Sequence, residues 1–324
     1  MRGRRRGTRG VAAISVDLDE IPCYAAIHGL LDDAALREAV LASQSAIYER
    51  ALPRLVRLFE EEGLRAAFFV VGRDVSTTGN AARLRELVDA GHELGNHTFH
   101  HLYDFSRGSP AEIEADVADA HAAITAATGF APHGFRAPGY TLSDLVVEKL
   151  VKLGYRYDSS VFPCPAYYGA KALAMGAMRA RGRTSRSVLD DPRVLAASPD
   201  PYRMARPYRR RGRGMLELPI GVTRAVAGRL PYIGTSLVLA GPAGARALSR
   251  GMAGRPLINL ELHGIDLADA EADGLGWLTP HQPDLRVPLA QKEAALRAAI
   301  REVRAMGYPW VRLDDAADEF AARG

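Results

Sequence analysis

Residues 48–71, "YERALPRLVRLFEEEGLRAAFFVV", place an amphipathic helix directly before a continuous apolar strand. Apolar residues recur every three to four positions in the first part, and Gly63 follows them, as glycine commonly does at a helix end. The segment "AAFFVV" at 66–71 is too short for a helix and contains no polar residue, which is typical of a strand buried on both faces. A helix that leads into such a strand predicts a parallel sheet covered by helices.

The same alternation continues along the chain. "VAAISVDL" (11–18) is typical of a buried strand, and "NAARLRELVDAG" (80–91) is typical of a helix that ends at a glycine. Ser109 and Glu112 form the capping pair of a helix over 109–129. The remaining elements follow the same order, and we expect helices at 142–154 and about 289–306 and strands at 92–97, 155–160, 256–264 and 310–313.

Length and repetition favour a barrel over an open sheet, in one domain over residues 11–324 that follows a basic tail at 1–10. A segment at about 166–214 interrupts the pattern, because it is rich in Arg, Gly and Pro and has no steady period. We interpret this segment as an insertion over the barrel face. It is a solvated loop in the simpler interpretation and an anion-binding lid in the alternative. We expect it to influence the choice of substrate and to do no chemistry.

The bulk composition is that of an ordinary globular protein, with 48% apolar and 25% charged residues in 324. No run approaches the roughly 18 apolar residues of a membrane span. The net charge of +4 is local, since the five arginines before Gly10 carry +5 and leave −1 for the rest. Such a tail is more typical of a solvated arm, or of one that touches a membrane surface, than of a nucleic-acid-binding surface.

The N-terminal segment does not resemble a secretion signal, because Ser15 and Asp17 interrupt the apolar run that follows the tail. We therefore expect a cytoplasmic location. Two cysteines, Cys23 and Cys164, are too few for a disulfide framework or for a thiolate metal site.

Two carboxylates mark the end of the first strand. Asp17 and Asp19 in "SVDLDE" are two residues apart, so on a strand their side chains leave from the same face. Neighbouring carboxylates repel unless a cation lies beside them, and a metal ion bound to one would leave the other free as a base. The alternative is a pair that faces solvent or caps the next helix.

Four of the chain's nine histidines lie in "HELGNHTFHH" (92–101). His97 and His101 are four residues apart, so on a helical turn both imidazoles would lie on one face. With Asp19 they make a two-histidine, one-carboxylate set that leaves metal positions open. An isolated H-x-x-x-H pair also arises by chance on helices. His92 and His100 are expected to take no part.

Two further strand ends carry polar residues. Arg136 in "GFRAPGY" follows an apolar strand and leads into a Pro–Gly turn, where backbone N–H groups can face a ligand. His263 ends the buried strand "LELHG". A surface arginine and a buried, hydrogen-bonded histidine are the simpler interpretations of the two when each is taken alone. In parallel α/β folds, however, functional groups collect at such strand ends.

In order and spacing, these motifs resemble the polysaccharide deacetylase family, the amide hydrolases related to the rhizobial chitooligosaccharide deacetylase. That family has a strand-end pair of aspartates, a glycine-preceded H-[S/T]-x-x-H, an R-x-P motif and a late Leu-His. The matching residues here are Asp17 and Asp19, "NHTFHH", Arg136 with Pro138, and Leu262 with His263. "AAFFVVGRDV" also resembles the segment before the family's metal histidines. The resemblance covers about residues 11–160 and resumes at about 215.

The resemblance implies a distorted (β/α) barrel of the NodB-homology type that binds a divalent metal, most often zinc. The implied ligands are Asp19, His97 and His101. Asp17 would be the general base, steadied by Arg136, and His263 the general acid, oriented by Asp158 of "YDSS". A backbone N–H near Gly139 or Tyr140 would hold the oxyanion.

The chain departs from the commonest family pattern, since it has D-x-D followed by "EIPCY" instead of two adjacent aspartates followed by Gly-Pro. This spacing resembles branches that act on smaller or lipid-linked amides, including sugar-lipid deformylases. "FRAPGY", "YDSSVFP" and "LPIGV" resemble deacetylases encoded near exopolysaccharide export genes. The implied substrate is an N-acetylated or N-formylated sugar, free or lipid-linked, rather than chitin or bulk peptidoglycan.

Two alternatives remain open. An allantoinase-like hydrolase of a small cyclic or nitrogenous amide would use the same metal fold. A non-catalytic carbohydrate-binding barrel would need neither the base Asp17 nor the acid His263. A nucleic-acid role is not expected, because the arginine-rich stretches lack the interleaved aromatic residues of a stacking surface.

Overall fold

The computed structural model describes residues 10–224 and 229–323, so the tail expected at 1–10 lies outside the described residues except for Gly10. One mixed sheet contains the strands β1 Val11–Asp17, β2 Ala67–Val70, β3 Glu93–Asn96, β4 Gly134–Phe135, β5 Tyr157–Asp158, β6 Tyr202–Met204, β7 Arg211–Glu217 and β8 Leu257–His263. Their order is β6-β7-β5-β4-β3-β2-β1-β8, and every neighbouring pair is parallel except β6–β7. The expected parallel α/β architecture is confirmed.

The helices that cover the sheet are α1 Ile21–Ile27, α2 Arg37–Ala42, α3 Leu52–Glu61, α4 Asn80–Asp89, α5 Pro110–Thr128, α6 Asp144–Lys152, α7 Pro165–Ala180, α8 Gly234–Arg250, α9 Leu289–Ala305 and α10 Leu313–Ala322. Within residues 10–224 and 229–323, no helix combines the length and the apolar character needed to cross a bilayer.

The unit at 48–71 folds as its pattern predicts. α3 buries Leu55, Leu58 and Phe59 against the sheet, and Gly63 ends the turn in the left-handed region at φ 65°. The backbone N–H of Leu64 then donates to the carbonyl of Phe59 at 2.8 Å, which closes the helix end. β2 follows with all four residues buried, as expected for a strand covered on both faces.

The register of the central strands brings their polar ends to one level. β1 lies between β2 and β8, and Asp17 pairs with Phe69 on one side and with His263 on the other. In the pair formed by β3 and β4, Asn96 is level with Phe135. Because the strands are parallel, the residues that follow them meet at the same edge of the sheet.

The prediction of a strand at 310–313 is wrong. Trp310 forms only an isolated bridge with Ala12, and α10 begins at Leu313. The carboxylate of Asp315 accepts bonds from the backbone N–H of Arg312 at 3.4 Å and from its Nε at 3.0 Å. These contacts start a helix where a strand would have to continue.

The segment at 166–214 is not an irregular loop throughout. Its first part lies in α7, where alanine-rich sequence favours a helix. Its last part, 211–214, is the beginning of β7, which pairs with β5 and with β6.

Candidate functional site

Three side chains from two strand ends converge on one point. Asp19 follows β1, whereas His97 and His101 follow β3, and all three are buried. Oδ1 of Asp19 lies 3.3 Å from Nε2 of His97 and 3.2 Å from Nε2 of His101. Their possible ligand atoms all lie within 4.8 Å of one another. The three residues expected to bind a metal are therefore brought together.

The chemistry of these atoms fits a cation. Nδ1 of His97 lies 2.7 Å from the carbonyl of Arg136, and a carbonyl can only accept, so this nitrogen carries the proton. The lone pair of Nε2 then faces the Asp19 carboxylate. Among the described residues, neither Oδ1 of Asp19 nor Nε2 of His101 has a hydrogen-bond partner. Buried acceptors that face each other without a donor are satisfied by a bound metal ion.

The electrostatics of the cluster agree with this. Burial acts to raise the pKa of Asp19, but the two neighbouring histidines outweigh it and hold the pKa well below its usual range. Burial lowers the pKa of His101. Burial also acts to lower the pKa of His97, but the Asp17 and Asp19 carboxylates outweigh it and raise the pKa, so a bound metal would take the place of the proton on Nε2. An ionised Asp19 beside neutral imidazoles is the state in which all three residues can bind a metal.

The loop that carries the histidines is not the helical turn that the sequence analysis assumed. Thr98 and His101 have left-handed φ angles of 64° and 53°. The side chain of Asn96 accepts from the backbone N–H of Thr98 at 2.7 Å, and Oγ1 of Thr98 accepts from the backbone N–H of His101 at 3.1 Å. Local bonds from the Asn and Thr side chains therefore bend the backbone and bring the two imidazoles together. The Asn and Thr of "NHTFHH" were the available sequence signal for this bend.

The other two histidines of the stretch lie in separate environments. Nδ1 of buried His92 accepts from the backbone N–H of Ala66 at 3.0 Å, and Nδ1 of His100 contacts the carboxylate of Asp116.

Arg136 is fully buried and is therefore not a surface arginine. Its Nη1 donates to Oδ1 of Asp17 at 2.7 Å. Its Nη2 donates to the hydroxyls of Ser15 at 2.9 Å and Ser159 at 2.8 Å, and its guanidinium lies 4.3 Å from the centre of the Phe69 ring. This network holds Asp17 with Oδ2 3.7 Å from Nε2 of His97. Asp17 is thus beside the candidate metal site, and its charge is balanced by an arginine.

His263 has a different partner from the one expected. Its Nδ1 lies 2.9 Å from Oε1 of Glu261, which is fully buried. Burial acts to lower the pKa of His263, but the nearby Glu261 carboxylate outweighs it and raises the pKa well above its usual value. The backbone N–H of His263 donates to Asp266 at 2.8 Å, which fixes the end of β8.

The expected contact between Asp158 and His263 is therefore wrong. Asp158 accepts bonds from the backbone N–H of Ser160 at 3.0 Å and from its hydroxyl at 2.7 Å. Strands β5 and β8 meet across the barrel, since Asn259 of β8 donates to the hydroxyl of Ser159 at 3.0 Å. Side chains alternate along a strand, so Asp158 lies on the other face from Ser159, whereas Glu261 precedes His263 by two residues on β8. Residues two apart on a strand share a face, so "LELH" contained the signal that the sequence analysis missed.

The turn after Arg136 contributes Gly139 and Tyr140 to the wall of the cleft. Gly139 and Tyr140 both have left-handed φ angles, of 61° and 62°. The backbone N–H of Tyr140 donates to the carbonyl of Ala137 at 3.1 Å, so this turn bond already occupies it. The hydroxyl of Tyr140 lies 3.4 Å from Nε2 of His263. Of the two residues expected to supply the oxyanion donor, Gly139 is therefore the remaining candidate.

These groups open into a cavity of about 370 Å³. Asp17, Asp19, His97 and His263 lie in its wall, together with residues of α7. The rest of the wall is mainly aromatic and aliphatic, and includes Tyr24, Ile27, Tyr103, Tyr140, Tyr167 and Ile233. A cleft with an apolar wall and a few converging polar groups is typical of a small-molecule site.

Among known proteins, the chain is similar to deacetylases that act on polysaccharides and related sugars. Residues 38–157 match the family model described as polysaccharide deacetylase. The peptidoglycan deacetylase of Helicobacter pylori is 30% identical over 152 residues, which are 47% of this chain and 49% of that protein. The chitooligosaccharide deacetylase of a Bradyrhizobium strain is 32% identical over 119 residues, which are 36% of this chain and 53% of that protein. The chain spans about half the length of these curated relatives.

Solved structures share the fold at low identity. A Mycobacterium smegmatis protein, provisionally described as a polysaccharide deacetylase, is 19% identical with a TM-score of 0.60, over 99% of this chain and 93% of that one. A pseudoenzyme of the CE4 family from Bacillus anthracis is 14% identical with a TM-score of 0.50, over 97% of this chain and 67% of that one. The expected distorted barrel is confirmed. Because one neighbour is a pseudoenzyme, activity has to be argued from side chains and not from the fold.

The stretch matched by the family model contains His97, His101 and Arg136, whereas Asp17, Asp19 and His263 lie outside it. The position of these three residues beside the histidines is therefore a result of the structure.

Proposed function

We propose that the chain, whose residues 38–157 match the polysaccharide deacetylase family model, is a metal-dependent amide hydrolase of that family. It removes an N-acyl group, acetyl or formyl, from a sugar or from a sugar-lipid precursor of a polysaccharide. The observation that carries this proposal is the convergence of Asp19, His97 and His101, where Oδ1 of Asp19 and Nε2 of His101 are buried without a hydrogen-bond partner among the described residues. Two charge-balanced pairs, Asp17 with Arg136 and His263 with Glu261, lie beside this cluster.

Asp19, His97 and His101 would hold the metal. Zinc is the first choice, because two imidazoles and one carboxylate with open positions are typical of catalytic zinc sites. When bound, the ion supplies a Lewis acid that polarises the acyl carbonyl and makes water more acidic. The carbonyl of Arg136 holds His97 in the tautomer that this role needs.

Asp17 is the proposed base. Arg136 occupies its Oδ1, so Oδ2 is the oxygen that faces the candidate metal site and can take a proton from water. The buried guanidinium also forms a salt bridge with this carboxylate at 2.7 Å and balances its charge. Asp17 is therefore held in position and is not needed as a metal ligand.

His263 is the proposed acid. Glu261 beside Nδ1 keeps the imidazole protonated, so that Nε2 has a proton to give to the leaving amine. Gly139, at the turn after Arg136 in the cleft wall, is the proposed backbone donor to the oxyanion. Glu261 orients His263 and touches no reacting atom, which makes it a positioning residue.

The shape of the cleft supports a small or lipid-linked substrate. The tyrosines of its wall offer faces on which a sugar ring or an apolar group can pack. A lipid-linked sugar would bring the chain to a membrane surface. Leu173 on α7, 77% exposed, supports such a contact.

The test is release of acetate or formate from a panel of N-acetylated and N-formylated sugars, free and lipid-linked, by protein loaded with zinc. We expect turnover of at least one substrate and its loss in Asp17→Asn. Asp116→Asn is the matched control, because Asp116 contacts His100 outside the cleft. The proposal fails if the loaded protein releases neither acid, or if both variants keep full turnover.

A further inference from the structure

A cationic side chain that forms no salt bridge with any described residue lies in the wall of the cleft. Lys171 on α7 lines the same cavity as Asp17, Asp19 and His263. Its Nζ donates to the carbonyl of Gly139 at 3.3 Å. Within residues 10–224 and 229–323, no carboxylate lies within 4 Å of Nζ, the distance of a salt bridge.

The surroundings of Lys171 disfavour a charge. Burial lowers the pKa of the Lys171 ammonium to about 8, and the carboxylate of Asp190, which lines a small cavity together with Lys171, acts against this. Asp190 is itself bonded to the backbone N–H of Asp191 at 2.7 Å and to the hydroxyl of Tyr208 at 3.2 Å. A partly desolvated ammonium with one neutral acceptor is costly for the folded protein, and an anion in the cleft would remove that cost.

The sequence around Lys171 is one-sided in charge. Residues 159–189 contain no aspartate or glutamate, and they include four arginines besides Lys171. The arginines do not line the cavity, so Lys171 is the basic side chain that this part of the chain contributes to it. Asp190 and Asp191 follow this stretch directly but do not line the cavity of the cleft, so the charge that 159–189 presents there is that of Lys171, which favours an anionic ligand over a neutral one.

The hydrogen bond to the carbonyl of Gly139 does not by itself explain why residue 171 is a lysine. A neutral hydroxyl or amide would hold the carbonyl of Gly139 without the cost of a buried charge. Nζ lies 3.6 Å from the position that a Cβ on Gly139 would occupy, so the lysine packs directly against the turn that faces the proposed reaction. A ligand group bound to Nζ would consequently lie close to the sugar at the metal site.

We propose that Lys171 binds an anionic group, a phosphate or a carboxylate, carried on the sugar that enters the cleft. This inference deepens the proposed function by naming the substrate class, and it rests on that function only for the N-acyl part of the substrate. Lys171 is then a specificity-determining residue.

The deciding experiment is binding by calorimetry of sugars that lack an amide: glucose 1-phosphate, glucuronic acid and neutral methyl glucoside. We expect the wild-type protein to bind one or both acidic sugars about tenfold or more tightly than methyl glucoside, as for one charged hydrogen bond. The two acidic sugars separate phosphate from carboxylate. Lys171→Met should remove the preference, and Lys171→Arg should retain part of it. Lys152→Met, on the exposed surface of α6, is the control for net charge and should change nothing.

Because these sugars cannot be hydrolysed as amides, the result does not depend on deacetylation. Equal binding of acidic and neutral sugars, or an unchanged preference in Lys171→Met, overturns the inference and leaves the proposed function intact. A panel with no released acid overturns the proposed function and leaves the anion site intact.

With N-acetylglucosamine 1-phosphate and methyl N-acetylglucosaminide, Lys171→Met should raise KM about tenfold only for the phosphate. An equal fall in kcat for both would mean that Lys171 merely supports the Gly139 turn, and would contradict the inference.

Discussion

Nδ1 of His263 lies 2.9 Å from a carboxylate oxygen of Glu261; both residues are on strand β8, and His263 lies in the wall of the cleft. Glu261 is fully buried, so solvent does not screen the pair. The contact assigns Nδ1 to Glu261 and leaves Nε2 facing the cleft beside the Tyr140 hydroxyl. The charge and direction of the proposed acid are therefore set by a residue two positions earlier in the chain.

We expect Glu261→Gln to shift the alkaline limb of the activity profile. His263 acts while protonated, so activity falls as pH rises through its pKa, and loss of the carboxylate lowers that pKa and moves the limb to lower pH. The loss of turnover at neutral pH should be smaller than the roughly 10²–10⁴-fold expected for removing His263 itself. The control is Asp158→Asn, compared per folded molecule, which should leave the limb in place. An identical limb in wild type and Glu261→Gln would contradict the pairing.

Asp17→Asn should lower turnover by roughly 10²–10⁴-fold while the metal stays bound. The amide has nearly the shape of the carboxylate and still accepts from Arg136 through Oδ1, but it cannot take a proton from water. Single-turnover rates and metal content, measured on the same preparation, check the prediction. Loss of metal in parallel with activity would show that Asp17 is a ligand and not a base.

We expect the purified protein to hold one divalent ion per chain that depends on His97. Removal of the ion by a chelator should lower Tm, because a metal that binds only the folded state stabilises it. Elemental analysis of His97→Ala should show the metal lost, whereas His92→Ala, a buried histidine outside the cluster, should retain it. Equal metal content in both variants would refute the assignment.

Glu93 should make the protein less stable as pH rises from about 4.5 to about 8. Burial raises the pKa of its carboxyl from 4.5 to about 8, and it contacts the hydroxyl of Tyr157 and the backbone N–H of Asp314. Between those two pH values the folded state keeps a proton that the unfolded state has lost, so the free energy of unfolding falls as pH rises.

Glu93→Gln mimics the protonated carboxyl and does not titrate, so its free energy of unfolding should decrease less between pH 5 and pH 8.5. Urea unfolding at both pH values measures this. Exposed Glu86→Gln is the control and should follow the wild type. A pH dependence in Glu93→Gln as steep as that of the wild type would rule out this role for Glu93.

The sequence by itself determined the architecture and the identity of the candidate site residues. Helix and strand periods are properties of neighbouring residues, so the alternation at 48–71 and the polar ends of β1, β3 and β8 were readable without a structure. Parallel strands end at one edge, which is why Asp19 and His97 could be expected to meet. The catalytic and metal roles of these residues remain predictions.

The tertiary structure alone decided which partners surround these residues. Left-handed residues in the loop after β3, and not a helical turn, bring His97 and His101 together, because bonds from Asn96 and Thr98 bend the backbone there. The pairing of His263 with Glu261 depends on side-chain direction, since Ser159 contacts Asn259 of β8 while its neighbour Asp158 lies on the other face of its strand. Burial of Arg136 and the position of Lys171 in the cleft come from contacts between segments far apart in the chain. Such contacts carry no local period, so only the folded chain can specify them.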